Sequence, residues 1–390
     1  MKILVIAGSS GGHIFPALGF LDALKHRHDN IDTLLVLSSQ QGFWHEYLPG
    51  KNIKNQVSNC RSTEDAVAKD AASSKKIFDC KVNYISISPV RLSFSFKNFI
   101  AILKLFKGAL ESLIILLTYR PDVVVAFGTL VCIPMVVFAH AFGIKTVIHE
   151  QNVIPGKANR FLAKFTDKIA ISFDETKDYF KDYESKIILT GNPIRKELER
   201  IDKNKALDFF GFSKDKFTIL IMGGSQGSHS INLGFLKAIA AISDKFKIQI
   251  IHLAGALDCG LLEQSYRDLN TDIKLFRFLD SMQYAYSASD LVVSRGGAST
   301  ITEFIFFKLP AIIIPYPFAY KHQAANAKVL EKAGSAIIIK DNELDADILK
   351  ESIEELLNNP DRIKTMRACY DSFLWFNIND LLIDEALSLN

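Results

Sequence analysis

Short apolar runs, many of them β-branched, alternate with longer segments of helical periodicity along most of this chain. In the first half the runs predict strands at Lys2–Ile6, Thr33–Leu37, Tyr84–Ser86, Val123–Ala126, Thr146–His149, Lys168–Ile171 and Lys186–Leu189. In the second half they predict strands at Thr218–Met222, Ile248–Leu253, Ile273–Arg277, Leu291–Val293, Ala311–Ile314 and Ala336–Ile339. Helical patterns lie between most of them, as in Phe15, Leu18, Leu21 and Leu24 after the first run. Such alternation predicts an α/β chain with parallel, doubly wound sheets and ligands at the carboxyl ends of the strands. A break near Gly191-Asn192-Pro193, before the polar stretch Arg195–Lys205, predicts domains at 1–194 and 195–371. Asn52–Lys76 has no clear period and reads as a long loop or insertion.

Three turns break the pattern with chemistry. Ala7-Gly8-Ser9-Ser10-Gly11-Gly12-His13 follows the first strand, and Gly223-Gly224-Ser225-Gln226-Gly227 follows Phe217–Met222. Arg295-Gly296-Gly297-Ala298-Ser299-Thr300 follows Leu291-Val292-Val293-Ser294 and leads into a helix through Glu303 to about Phe307. Glycines let the backbone approach a ligand closely, and the helix start behind them offers free N–H groups and partial positive charge. Two similar halves that both carry such turns point to one anionic, phosphate-bearing ligand. Glu303, about one turn into its helix, has two readings. It is a carboxylate for a ribose diol, or a solvated glutamate favoured by the helix dipole.

Composition narrows the class only a little. At 390 residues, 23% charged and 48% hydrophobic, the chain is long enough for two full cores. A net charge of +3 gives no argument for nucleic acid. Cys60, Cys80, Cys132, Cys259 and Cys369 are odd in number and scattered, which argues against a disulfide framework or zinc site and fits a reducing cytoplasm. Val123–Ile144 carries no formal charge, but Gly128 and Pro134 interrupt it. A strand, a turn at Phe127-Gly128-Thr129 and a helix from near Pro134 are expected there rather than a membrane span.

Several runs together resemble one family: Gly11-Gly12-His13-Ile14-Phe15-Pro16; His149-Glu150-Gln151-Asn152 with Pro155-Gly156; Gly191-Asn192-Pro193-Ile194-Arg195; the turn at Gly223–Gly227; Ser294–Ala298 with Thr300 and Glu303; and His322-Gln323 with Asn326-Ala327. In order and over nearly the whole chain, they look like the MurG family, bacterial enzymes that convert lipid I to lipid II in peptidoglycan synthesis. The resemblance implies a GT-B fold, two Rossmann-like domains whose sheets face a central cleft. The implied partners are UDP-N-acetylglucosamine, lipid I and an anionic membrane surface, at the cytoplasmic face of the cell membrane as a peripheral protein. No cofactor and no nucleic acid is implied.

The family's site residues map onto this chain by position. Glu303 matches the ribose-binding glutamate, and Ala298, Ser299, Thr300, Ile301 and Thr302 the diphosphate-binding helix start. Ser225 and Arg195 match residues near the diphosphate, Leu279 the backbone contact to uracil, and Gln323 and Asn152 contacts to the sugar hydroxyls. Ser10, Gly11 and Gly12 match the loop that faces acceptor and sugar. The segment from Asn379 to about Leu387, within 372–390, matches a helix that returns to the N-terminal domain.

Sugar transfer from UDP needs a stabilised diphosphate leaving group and a deprotonated acceptor hydroxyl. Helix N-termini and Arg195 supply the first without a metal. Asp345-Ala346-Asp347 is the one DxD-like spelling and reads as a helix cap, so no essential metal is expected. His13 is the favoured general base because imidazole titrates near neutral pH; its other reading is a histidine packed at a helix start. Glu150 is the rival base, or else a buried, hydrogen-bonded carboxylate at a strand end. Attack on the face opposite UDP inverts the anomeric centre.

Arg91–Arg120 is rich in Leu, Ile and Phe, with Lys97, Lys104 and Lys107 interleaved and Glu111 opposing them. It reads as an interfacial helix on anionic lipid, with Phe94, Phe96, Phe99, Ile102 and Leu105 supplying burial, or as a core crossover helix with snorkelling lysines. The chain departs from the family where Ser9 and Ser10 stand for glycine and threonine, where Gly128-Thr129-Leu130 replaces a Gly-Gly-Tyr loop, and where Lys321 stands for an acid. Two other functions stay open: a UDP-sugar 2-epimerase of the same fold, and a catalytically weak UDP-sugar-binding protein.

Overall fold

A computed structural model describes residues 1–8, 10–38, 80–87, 96–224, 227–318, 321–373 and 378–389. The described residues up to 196, with the last helix, form one compact unit, and those from 197 to 373 form another. Arg195 thus groups with the first unit.

The first unit is built on a seven-stranded sheet of parallel neighbours in the order β3-β2-β1-β4-β5-β6-β7. Its strands are β1 (Lys2–Ala7), β2 (Asp32–Ser38), β3 (Lys81–Ile85), β4 (Val123–Ala126), β5 (Lys145–Glu150), β6 (Lys168–Ile171) and β7 (Ile187–Leu189). Alternate residues of β1 enter different cores. Ile3, Val5 and Ala7 pack with the helix Gly11–Arg27 and the helix Ile378–Leu387, whereas Leu4 and Ile6 pack with the helix Cys132–Ala141. A strand buried on both faces needs an unbroken apolar run, so these segments were legible as strands. The final helix is sealed to the first by Leu382, Ile383 and Ala386, with Arg27 bonded to Asp384 at 2.8 Å and Asp380 at 3.1 Å.

The second unit repeats the plan with six parallel strands in the order β10-β9-β8-β11-β12-β13. They are β8 (Phe217–Met222), β9 (Ile248–Leu253), β10 (Asp272–Phe276), β11 (Leu291–Ser294), β12 (Ala311–Ile313) and β13 (Ala336–Ile338). In both sheets chain order reverses beside the first strand of the unit, between β1 and β4 and between β8 and β11. Loops leaving such a switch point diverge and open a crevice for ligands. The three glycine turns follow β1, β8 and β11 and therefore lie at these points. The uncharged stretch after Asp122 resolves into β4, a turn and the helix Cys132–Ala141, which starts two residues before Pro134. The Asn52–Lys76 stretch lies outside the described residues.

Candidate active site

In the first unit, loops after β1, β4 and β5 meet at one sheet end. A Cβ on Gly8 would lie 2.5 Å from Thr129 Cγ2, so only glycine fits. Ser10 takes the N-cap position with extended backbone, and the helix begins at Gly11, leaving the amides of Gly11 and Gly12 at its head. His13 Nδ1 lies 2.7 Å from the Phe127 carbonyl oxygen. A carbonyl only accepts, so Nδ1 carries the proton and Nε2 is the basic nitrogen of the neutral ring. The loop after β4 thus sets the tautomer that a general base requires.

His149, beside it, is a different kind of histidine. It is fully buried, Nε2 donates to the Gly191 carbonyl at 2.9 Å, and Nδ1 accepts from Gln151 Nε2 at 3.2 Å. Burial, and to a lesser degree the nearby His13, push its pKa down to about 4, against a weaker opposite pull from the Gly191 carbonyl. His149 therefore stays neutral and acts as a fixed strut. Gln151 Nε2 also reaches the Phe127 oxygen at 3.2 Å, so that carbonyl is shared by His13 and Gln151.

Glu150 is buried at the end of β5 and ringed by donors. Its Oε1 accepts from Asn152 N at 2.9 Å and Asn152 Nδ2 at 3.2 Å; its Oε2 accepts from Gly156 N at 3.0 Å and Asn159 Nδ2 at 2.8 Å. These bonds shape the 152–156 loop. To serve as base, Glu150 would have to give some of them up. The Arg195 guanidinium lies 4.3 Å from the Phe15 ring centroid, on the helix that the first glycine turn opens. Its Nε is buried with no hydrogen-bond partner among the described residues.

In the second unit the turn after β8 is equally tight. A Cβ on Gly223 would collide with Ser228 N and one on Gly227 with the Ala254 carbonyl, while Gly224 and Gly227 hold φ of +86° and +79°. Ser225 lies outside the described residues. Beneath this turn, burial pushes His252 down to about 3; its neutral ring bridges Tyr266 and Asn232, and Asn232 Nδ2 donates to the Ala254 carbonyl.

After β11, Gly297 caps the helix Ala298–Phe307. The amides of Ala298, Ser299 and Thr300 head it, whereas the Ile301 amide already donates to the Gly297 carbonyl at 2.9 Å. Ile301 and Thr302 are fully buried, and the Thr302 hydroxyl donates to the Ala298 carbonyl at 3.0 Å. Within the stretch 298–302, the helical period thus turns the Ile301 and Thr302 side chains into the fold. Glu303 is partly buried, and its Oε2 accepts the Tyr286 hydroxyl at 2.5 Å. Gln323 Oε1 accepts from the Gly296 amide at 3.2 Å and the Tyr316 amide at 2.9 Å. Both bonds fix the flip, so Nε2 is the end presented as donor. The Leu279 side chain is buried, which leaves its backbone as the part that a base could contact.

The buried polar residues His149, Gln151, Asn159, Tyr286 and Arg295 were given no role from sequence. The one hint was the run His149-Glu150-Gln151-Asn152, polar residues at the end of an otherwise apolar strand. Asp345 stands at the N-cap of the helix Ala346–Asn358 and Asp347 in its first turn, though Asp345 makes no side-chain capping bond.

The helix Phe96–Tyr119 carries a distinct surface. Leu103, Phe106, Leu110, Ile114 and Leu117 are each at least half exposed, Phe106 at 71%, and their three- and four-residue spacing aligns them on one face. Lys104 and Lys107 are exposed beside them. Leu105, expected among the lipid-facing residues, is instead packed against the core, and Glu111 accepts from the Ser86 amide at 2.6 Å. Phe94 lies outside the described residues, as do the side chains of Phe96, Lys97, Phe99 and Ile102. No described helix is long and apolar enough to cross a membrane.

Comparison with known proteins agrees with this geometry. Residues 3–171 match the glycosyltransferase family 28 N-terminal domain and residues 218–374 its C-terminal domain. The chain is 35% identical over 374 residues to the UDP-N-acetylglucosamine–N-acetylmuramyl-(pentapeptide) pyrophosphoryl-undecaprenol N-acetylglucosamine transferase of Halothermothrix orenii, covering 94% of this chain and 93% of the relative. It is 31% identical over 372 residues to the Bacillus subtilis enzyme of the same description, with 94% and 93% coverage. In fold it matches Acinetobacter baumannii MurG, with TM-score 0.73, 22% identity and 99% of each chain covered. It also matches a UDP-GlcNAc 2-epimerase from Neisseria meningitidis, with TM-score 0.65, 15% identity and 100% of each chain covered. At 35% identity across both units, the chain belongs to the MurG family of UDP-N-acetylglucosamine–N-acetylmuramyl-(pentapeptide) pyrophosphoryl-undecaprenol N-acetylglucosamine transferases.

Proposed function

We propose that this chain transfers N-acetylglucosamine from UDP-N-acetylglucosamine to the 4-hydroxyl of the lipid-linked muramyl-pentapeptide, lipid I, with inversion and release of UDP. The observation that carries the reading is the likeness to these transferases along 94% of the chain, both glycine-turn units included. The geometry supports a division of labour. In the second unit Glu303 takes the ribose diol, the Leu279 backbone takes uracil, and Gln323 Nε2 donates to the sugar. The Ala298–Thr300 amides and the Gly223–Gly227 turn take the diphosphate.

In the first unit His13 Nε2 takes the proton of the 4-hydroxyl, near the amides of Gly11 and Gly12. The hydroxyl oxygen bonds to C1 as the C1–O bond to UDP breaks. The charge that develops on the diphosphate is stabilised by helix-head amides and by Arg195. Glu150 shapes the loop that carries Asn152. The test is release of UDP in the presence and absence of lipid I. A transferase releases UDP only with lipid I. An epimerase would convert UDP-N-acetylglucosamine without it, and a binding protein would do neither.

Replacing Glu303 by alanine is expected to weaken UDP binding by about 1.5–3 kcal/mol, the worth of charge-assisted hydrogen bonds, with little change in turnover at saturation. Titration of UDP against both proteins reads the effect, and equal affinities would reject the ribose assignment.

The acceptor's lipid calls for a membrane face, and we assign it to the exposed stripe Leu103–Leu117 with its flanking lysines, peripheral on the cytoplasmic leaflet. Each lysine near an anionic surface contributes about 1 kcal/mol. The triple variant Lys97→Glu, Lys104→Glu, Lys107→Glu is therefore expected to lose most binding to phosphatidylglycerol vesicles at low salt while keeping its UDP affinity. Co-sedimentation equal to wild type would place the membrane contact elsewhere.

A further inference from the structure

Thr129 holds φ of +76°. It is the only β-branched residue at positive φ among the described residues; the other non-glycine residues there are Arg120, Lys308 and Lys321. The left-handed region is costly for a residue branched at Cβ, and such strain persists only where its surroundings over-determine it. Here they do. Phe127 N donates to the Ile6 carbonyl at 2.8 Å, and Cys132 N donates to the Thr129 carbonyl at 3.1 Å. The Cys132 thiol donates to the Gly128 carbonyl at 2.6 Å.

The side chain held in this way has a definite place. Cγ2, Oγ1 and Cβ of Thr129 lie 2.5, 2.7 and 3.0 Å from where a Gly8 Cβ would be, so threonine fills the hollow over the first glycine turn. A Cβ on the preceding residue, Gly128, would lie 3.2 Å from Asn159 Nδ2 and 3.5 Å from His13 Cε1, and the carbonyl before that fixes the His13 tautomer. One strained side chain therefore sits where the glycine turn, the proposed base and the loop after β4 come together.

We propose that Thr129 is a specificity-determining residue: it plugs the space over Gly8 beside His13 and so keeps water from taking the place of the acceptor hydroxyl. The proposal rests on the transferase reading. In the competing reaction a water oxygen bonds to C1, its proton passes to His13, and UDP leaves. A plug of one side chain selects against the smaller nucleophile by denying it a site from which to attack.

The experiment uses the full chain. In Thr129→Gly the thermal midpoint is expected to hold or rise, because glycine relieves the left-handed strain. The ratio of UDP released from UDP-N-acetylglucosamine alone to UDP released with lipid I is expected to rise about tenfold. Gly8→Ala is expected to lower the midpoint in the wild-type background and to recover it when combined with Thr129→Gly, since the two residues compete for the same volume. An unchanged ratio, or a Gly8→Ala defect that Thr129→Gly does not relieve, would overturn the proposal. The midpoint pair reads the plug without any activity, so it still reports if wild type shows no release dependent on lipid I, the result that removes the transferase reading instead.

Discussion

His13→Ala is expected to lower turnover about 10²–10⁴-fold, the usual range for loss of a general base, while UDP affinity stays near the wild-type value. The separation follows from where the residue sits. His13 belongs to the first unit, whereas Glu303, the Leu279 backbone, the Ala298–Thr300 amides and Gln323, assigned to ribose, uracil, diphosphate and sugar, are in the second. The size follows from chemistry. A sugar hydroxyl is a poor nucleophile until its proton leaves, and the Phe127 carbonyl holds the imidazole with Nε2 as the acceptor of that proton. The neighbouring histidine cannot substitute. His149, with its pKa pushed down to about 4 and both ring nitrogens engaged, is too weak a base and too deeply buried. Initial rates of UDP release at saturating substrates, with UDP titrations alongside, check the expectation. Near-normal turnover would pass the base role to Glu150 or to solvent, and Glu150 would then have to release bonds that now hold Asn152, Gly156 and Asn159.

Much of the fold was readable because a strand covered on both faces is mostly apolar. β4 and β9 span the residues expected of them, although β9 also buries Gln249 and His252. The reading weakened where burial did. β3 was expected at Tyr84–Ser86 and pairs instead over Lys81–Ile85, because on a sheet edge Lys81, Asn83 and Tyr84 face outward and leave no apolar run to follow. The glycine turns were also readable, since a Cβ at Gly8, Gly223, Gly227 or Gly296 would collide with its neighbours. What the turns hold was not. The partner of His13 is a main-chain carbonyl 114 residues away, which no side-chain pattern can announce. On the helix Phe96–Tyr119 composition disclosed an apolar, basic segment but not which side faces out, so Leu105 was placed on the wrong face. A helix apolar over more than half its circumference has no clean period from which to read that.

The clearest case of hidden wiring is Arg295, and Arg295→Ala is expected to destabilise the second unit by about 3–5 kcal/mol, the cost of breaking a buried ion pair from one side. Arg295 Nη1 donates to the Ile314 carbonyl at 3.0 Å and to Asp341 Oδ1 at 2.5 Å. Its Nη2 donates to the hydroxyls of Ser228 and Ser230 at 2.7 and 2.8 Å. One side chain thus fastens the segment after β8, the end of β12 and the turn at Asp341 to the glycine turn after β11. The guanidinium is 10% exposed and Asp341 20%, so solvent offers the stranded carboxylate little relief. Lysine would not repair the loss, because a single ammonium cannot span four acceptors in a planar fork. In a unit of this size the loss should lower the thermal midpoint by about 10 °C. UDP affinity should fall with it, since the Gly296-Gly297 turn and the Ser228 segment lose their common anchor although Arg295 need not touch the nucleotide. Thermal melts with and without UDP separate the two effects. If Arg295 is a positioning residue, Arg295→Lys retains part of the stability yet still binds UDP weakly. A variant that melts and binds UDP like wild type would mean that the glycine turns hold their shape without it.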